Sequence, residues 1–323
     1  MLSISNYLAR HNFWRASVFF WLLSLAAVGQ QSVNTSSIAL TFGASGKTGN
    51  APAETNILLA AGDIAECPYY SDSEKTAKLL DKMPGTILAL GDLSYPEGSE
   101  TTFRQCYSKT WGRHKERTHP SPGNHEYRTP GAAGYFQYFG AAAGDPKHGY
   151  YSFDLGGWHI ISLNSECSAI GGCQQGSPEE TWLREDLKHN AGKCILAYWH
   201  VPLFSSGSEH GNSPEMKPFW DALYAAGADL VLNGHDHDYE RFAPQNPAGA
   251  SDPQKGIREF VVGTGGGQLR SFRPQLPTTE IRNSSTFGLL KLTLQPRGYE
   301  WEFVPVSGSS FTDSGKGACH AGH

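Results

Sequence analysis

Ile57-Leu58-Leu59-Ala60-Ala61-Gly62-Asp63 and Thr86-Ile87-Leu88-Ala89-Leu90-Gly91-Asp92 are the stretches whose reading decides the fold. Each is a short run, apolar throughout, that stops abruptly at Gly-Asp. Unbroken apolar character over so few residues describes a strand buried on both faces, because a strand with one wet face alternates instead. Cys194 to Trp199 and Asp229 to Leu232 repeat the pattern and end at His200 and at Gly234-His235-Asp236-His237. Helical patterns fall between these runs. Ser177 is placed as a cap, Pro178 suits the first helical position and Glu180 completes a capping box, so a helix is predicted over 178–189. A second helix is expected from about Glu74 to Leu80 with Ser71 or Asp72 as cap, and a third from about Pro218 to Ala226, ended by Gly227. Hairpins are expected for Tyr150 to Leu155 with Trp158 to Asn164, turning at Gly156-Gly157, and for Phe287 to Leu294 with Tyr299 to Val306. Mixed sheets covered by helices follow, in one domain spanning 55–310, with a C-terminal tail over 311–323 in which His320 and His323 lie loose.

Composition narrows the function. Lys and Arg number 26 against 31 Asp and Glu, a net charge of -5, and no basic run appears. That excludes a general nucleic-acid binder, whose affinity comes from clustered cations. A charged phosphate substrate must then be held by something local. At the N-terminus Arg10 and Arg15 precede an apolar run from Ala16 to Val28 and then small and polar residues, the layout of a secretory signal peptide over 1–29 with cleavage after Gly29. The run is shorter than the roughly 20 apolar residues of a spanning helix, so no stable membrane association is expected after cleavage. A polar lead follows over 30–54. Export agrees with six cysteines, even in number and without zinc-type spacing, which reads as disulfides. Cys167 with Cys173, Cys67 with Cys106 and Cys194 with Cys319 are the expected pairs, the first because it closes a short loop.

The chemistry sits just past the strands. Gly62-Asp63, Gly91-Asp92, Gly123-Asn124-His125-Glu126, His200 and Gly234-His235-Asp236-His237 each fall in a turn. Loops at the carboxyl ends of parallel strands meet in one crevice. A lone Gly-Asp is most often a turn or a helix cap, and a lone buried His is most often a hydrogen-bonded core residue. The set has no shared structural purpose of that kind, whereas hard and borderline cations want this mixture of oxygen and imidazole donors.

In these blocks the chain resembles the calcineurin-like metallophosphoesterases, and more narrowly the purple acid phosphatases. Gly62-Asp63-Ile64-Ala65, Gly91-Asp92-Leu93-Ser94-Tyr95, Gly123-Asn124-His125-Glu126, Ala197-Tyr198-Trp199-His200 and Gly234-His235-Asp236-His237 match the family's five blocks in order and spacing, and the likeness covers roughly residues 55 to 305. It implies an α/β (α+β) fold, a four-layer αββα sandwich of two mixed β-sheets flanked by helices. It also implies that Asp63, Asp92, Tyr95 and His237 hold one metal and Asp92, Asn124, His200 and His235 the other, with Asp92 bridging. Tyr95 would favour Fe(III), whose charge transfer with the phenolate colours such proteins; the neutral Asn124 would leave the second ion divalent, Zn, Mn or Fe.

The reaction implied is hydrolysis of phosphomonoesters by a metal-bound hydroxide, with a small phosphorylated substrate and secretion as the setting. His125 is expected to contact a phosphate oxygen and His210 to protonate the leaving alcohol. The chain departs from the family at Ala65 and Ala197, both small and neither a donor. Relatives often carry paired histidines after the fourth block, where this chain has Ser208-Glu209-His210-Gly211. Gly263-Thr264-Gly265-Gly266-Gly267 lacks the Lys of a P-loop and reads as a loop near the site. Asp238, Tyr239, Glu240 and Arg241 either orient the histidines or form a buried ion pair. Asn34 and Asn283 fit the glycosylation sequon. Two other readings stay open: a phosphodiesterase or nucleotide hydrolase with the same metals, and a secreted binding protein that keeps the fold without the chemistry.

Overall fold

The computed structural model describes residues 56–320. The expected signal peptide, the polar lead, Asn34 and His323 lie outside the described residues. Chain order begins with β1 (Ile57–Ala61), β2 (Ala65–Glu66), α1 (Ser71–Leu80), β3 (Thr86–Leu90) and β4 (Ser94–Tyr95). Then come α2 (Glu100–Gln105), β5 (Thr118–Ser121), α3 (Ala133–Phe139), β6 (Tyr151–Leu155) and β7 (Trp158–Ser162). α4 (Cys167–Ile170), α5 (Pro178–His189), β8 (Cys194–Tyr198), α6 (Lys217–Ala225) and β9 (Leu230–Asn233) follow. The remaining strands are β10 (Tyr239–Phe242), β11 (Arg258–Val262), β12 (Thr279–Asn283), β13 (Gly288–Gln295), β14 (Gly298–Pro305) and β15 (Ser314–Ala318).

One sheet runs β15-β14-β13-β1-β3-β5 and the other β12-β10-β11-β9-β8-β7-β6. Both are mixed: β1, β3 and β5 are parallel, as are β7, β8, β9 and β11, while the two hairpins are antiparallel. The period of two along each strand divides its side chains between layers. Cys194, Leu196 and Tyr198 of β8, with Leu230 and Leu232 of β9, join Leu290 and Leu292 of the opposite sheet in one core. Ile195, Ala197 and Val231 point the other way, onto Leu183 and Leu187 of α5 and Phe219, Trp220 and Leu223 of α6. Both faces are therefore dry, which is why these strands read as unbroken apolar runs. α1 covers the other sheet through Ala77 and Leu80. The layers are helix, sheet, sheet, helix, as the family resemblance implies.

Predicted and observed elements agree closely at β1, β3 and α5, where Ser177 accepts from the Glu180 N–H as expected, while the Glu180 carboxylate accepts from the Gly176 N–H rather than closing the capping box on Ser177. β8 stops one residue early and β9 starts and ends one residue later than the apolar runs. α1 begins at Ser71, capped at Tyr70 without a side-chain bond, so neither Ser71 nor Asp72 is the cap. All three expected disulfides are present: Cys67–Cys106, Cys167–Cys173 and Cys194–Cys319. The C-terminal segment is a correction. Instead of a loose tail from 311, Ser314–Ala318 pairs antiparallel with β14, and His320 donates its backbone N–H to Asp229 at 2.6 Å. Backbone pairing and the Cys194–Cys319 bond hold it, and its sequence of small and polar residues carries no apolar signal. No described helix is long and apolar enough to cross a membrane.

Candidate metal centre

All the predicted donors but Tyr95 follow a parallel strand at its carboxyl end. Asp63 follows β1, Asp92 follows β3, Asn124 follows β5, His200 follows β8, and His235 and His237 follow β9. Tyr95 ends β4, which pairs with β2 beside the β1 and β3 turns. The turns are tight enough that Asp63, Asp92 and His235 adopt positive φ of 59°, 51° and 73°. Non-glycine residues hold such conformations at a cost of order 1–3 kcal/mol each, and they cluster at functional sites. Two glycines show how close the packing is. A Cβ on Gly91 would lie 2.5 Å from His200 Nδ1, and one on Gly123 would lie 2.3 Å from Asp92 Oδ1.

The side chains converge. Asp63, Asp92 and His200 present donor atoms all within 4.8 Å of one another. Tyr95 donates its hydroxyl to Asp63 Oδ1 at 2.9 Å and lies 3.0 Å from His237 Nε2, which is 3.4 Å from the same Asp63 oxygen. On the other side His200 Nε2 is 3.3 Å from Asp92 Oδ2 and 3.2 Å from His235 Nδ1. Two groups of donors thus share the space between Asp63 and Asp92. Several rings are fixed from behind: His200 Nδ1 contacts Leu90 O at 2.8 Å, His237 Nδ1 contacts Gln268 O at 2.8 Å and His125 Nδ1 contacts Pro96 O at 2.6 Å. These contacts leave each Nε2 facing inward, the arrangement metal-binding imidazoles use.

Charge is concentrated here. Burial disfavours the Asp92 anion, yet His200 and His125 hold its carboxyl well below the usual range. Burial likewise opposes the Asp63 anion, and His237 lowers it. Burial disfavours charged rings at His200 and His237, but Asp92 lifts the first to about 10 and Asp63 the second to about 9. His235 is driven down to about 3 by burial and by His200 and His210. Tyr95 is raised far above an ordinary phenol by burial and by Asp63 and Asp92, so only a strong cation could turn it into a phenolate ligand. Asn124 Oδ1 is buried with no hydrogen-bond partner among the described residues. A buried acceptor left alone needs a water or a cation. This donor set fits a pair of cations.

A cavity of about 260 Å³ opens over these residues. His125 lines it, with Nε2 3.7 Å from Asp92 Oδ2, and so does His210, whose ring stacks on His235 at 3.9 Å between centroids. Both histidines predicted to act on the substrate are therefore brought to the site. The glycine-rich stretch also lies where it was expected, Gly267 donating to Asp63 O at 2.7 Å and Gly265 to Gly62 O at 2.9 Å. Tyr239 and Arg241 bind Asp313, while Glu240 accepts from Ser205 and Ser206; both carboxylate oxygens of Asp238 are buried without a hydrogen-bond partner among the described residues. Sequence reading gave no role to Glu126, Arg128 or Arg270. The Glu126 carboxylate accepts the backbone N–H groups of Asp92, Leu93, Ser94 and Gly123, tying two ligand turns together. Its place in the Gly-Asn-His-Glu block was the available signal. Arg128 and Arg270 line the cavity but sit outside every block.

Residues 51–239 match the family described as Calcineurin-like phosphoesterase, and the chain belongs to that family. Among curated proteins it is 28% identical over 267 residues to purple acid phosphatase 18 of Arabidopsis thaliana, covering 73% of this chain and 56% of that protein. It is 28% identical over 208 residues to purple acid phosphatase 15 of the same plant, covering 53% of this chain and 38% of the relative. The chain thus spans about half the length, or less, of these relatives. Among solved structures, a purple acid phosphatase from yellow lupin (Lupinus luteus) seeds superposes with a TM-score of 0.63 at 17% identity, over 80% of this chain and 53% of that one. GAP50, the anchor in the inner membrane complex of Plasmodium, superposes with a TM-score of 0.60 at 14% identity, over 81% and 88%. These likenesses establish the fold. Family and donor set together imply a dinuclear metal centre.

Proposed function

We propose that this chain is a secreted phosphatase that hydrolyses phosphomonoesters at two adjacent cations. Asp63, Asp92, Tyr95 and His237 would hold one ion and Asp92, Asn124, His200 and His235 the other, Asp92 serving both. Fe(III) is the ion for the Tyr95 side, and Zn, Mn or Fe as a divalent ion for the Asn124 side. When bound, such a pair neutralises the phosphoryl oxygens and acidifies water, the means by which a chain of net charge -5 accepts an anionic substrate. The observation that carries this reading is the gathering of Asp63, Asp92 and His200 donor atoms within 4.8 Å.

The protein's own groups supply the rest. His125, whose Nδ1 donates to Pro96 O, turns Nε2 into the cavity to contact a phosphate oxygen, to which it donates when the ring is doubly protonated. His210 gives a ring proton to the departing ester oxygen as the P–O bond breaks, so the alcohol leaves neutral. The three disulfides support an oxidising, exported setting, with a small phosphorylated molecule rather than nucleic acid as partner.

Turnover of mono- and bis-(nitrophenyl) phosphate, before and after chelation, tests the assignment. Chelator-sensitive cleavage of the monoester is the expected result; preference for the diester would make this a phosphodiesterase. The likeness to GAP50 keeps a binding role in view, and a purified chain without metal or turnover would favour it.

A further inference from the structure

His210 lies in a segment, 205–211, with no helix and scarcely any ladder pairing of its own, only an isolated bridge at Gly207. At that bridge the Ser208 N–H donates to Ser271 O at 2.9 Å and the Arg273 N–H to Ser206 O at 2.7 Å, and two buried carboxylates hold the rest of the segment. Asp236, 1% exposed, accepts from Ser205 Oγ at 2.5 Å, from the Gly211 N–H at 3.0 Å and from the His210 N–H at 3.3 Å. Glu240, fully buried, accepts from Ser205 Oγ at 3.0 Å, from the Ser206 N–H at 2.7 Å and from Ser206 Oγ. Ser205 Oγ thus reaches both carboxylates and also accepts the Gly207 N–H at 3.0 Å. The fit at Gly207 is close, since a Cβ there would lie 2.2 Å from Asp236 Cγ.

Position 236 explains the arrangement. His235 and His237 face the cavity, and the residue between them faces the other way, into the 205–211 segment. A side chain there moves with the two histidines on either side of it. Charge-assisted bonds to buried N–H groups are the strong kind, and a buried donor left without its acceptor is costly. We propose that Asp236, backed by Glu240, is a positioning residue that clasps the 205–211 segment and sets the His210 ring against His235 over the cavity. The chemical consequence rests on the phosphatase reading; the clasp itself does not.

Asp236→Asn is the informative change, because the amide keeps one acceptor but turns an NH2 toward groups that are themselves donors. Ser205→Ala opens the same clasp from the other side, away from the metal ligands, and serves if Asp236→Asn fails to fold. Hydrogen–deuterium exchange of the chelated protein should show the His210 and Gly211 amides exchanging at least tenfold faster in Asp236→Asn, and the Gly207 amide in Ser205→Ala, with β8 and β9 unchanged. In the metal-loaded protein, kcat should fall on the order of 10²-fold with an alkyl phosphate, whose alcohol needs a proton, and much less with nitrophenyl phosphate. Metal content stays at the parent level, and Asp236→Asn added to His210→Ala costs nothing more.

Unchanged exchange in both variants would overturn the clasp. Equal losses with both leaving groups, or multiplying losses in the double variant, would overturn its link to His210. An inactive parent would instead strike the phosphatase reading and leave the exchange result to judge the clasp.

Discussion

Glu126→Gln is the change whose cost can be worked out from the coordinates. Glu126 Oε2 accepts from the Asp92 N–H at 2.9 Å and the Gly123 N–H at 2.8 Å, and Oε1 accepts from Leu93 at 2.9 Å and Ser94 at 3.2 Å. All four partners are donors. A glutamine has one acceptor oxygen, so whichever way its amide turns, two buried N–H groups face an NH2. Each orphaned donor costs about 1–3 kcal/mol, a total of about 2–6 kcal/mol. For a domain of this size each kcal/mol lowers Tm by about 2–4 °C, so the variant should melt roughly 4–24 °C below the parent. Calorimetry on chelated protein isolates this term from metal loss. Because the same carboxylate joins the turns of Asp92 and Asn124, metal affinity should fall about 10- to 100-fold as well. Parent and variant melting within about a degree of each other would refute the bracing role.

Other consequences are open to simple assays. Tyr95→Phe should abolish visible absorption and leave the circular dichroism intact; an unchanged spectrum rejects the Fe(III)-phenolate assignment. His159, between Asp154 at 2.9 Å and Asp186 at 2.7 Å, is disfavoured as a cation by burial but lifted above its ordinary value by those two carboxylates. Its contribution is complete below about pH 6.5 and is lost as pH rises through the raised folded value. Parent stability over His159→Gln, measured as urea midpoints, should therefore be larger at pH 5.5 than at pH 9; equal gaps would contradict the pairing.

The sequence made the buried strands and their donor turns legible for one reason. β1, β3 and β8 are dry on both faces and apolar almost throughout, so they announce their length to within a residue and the place where chemistry begins. Elements that depend on backbone pairing alone were silent. β15, with Ser314, Gly315, Lys316 and Gly317, is held by β14 and a disulfide. β10, with Glu240 and Arg241, looks polar because its charges find buried partners across the fold. The clasp was hidden for a similar reason: Asp236 lies in the most conspicuous motif of the chain, but its partners stand some thirty residues earlier and no spacing rule connects them.

Metal content of the parent and of Asp92→Ala tests the central claim most directly. Two ions per parent chain and close to none in the variant are expected, because one carboxylate serves both sites. A parent without metal, or a variant that keeps both ions, would contradict it.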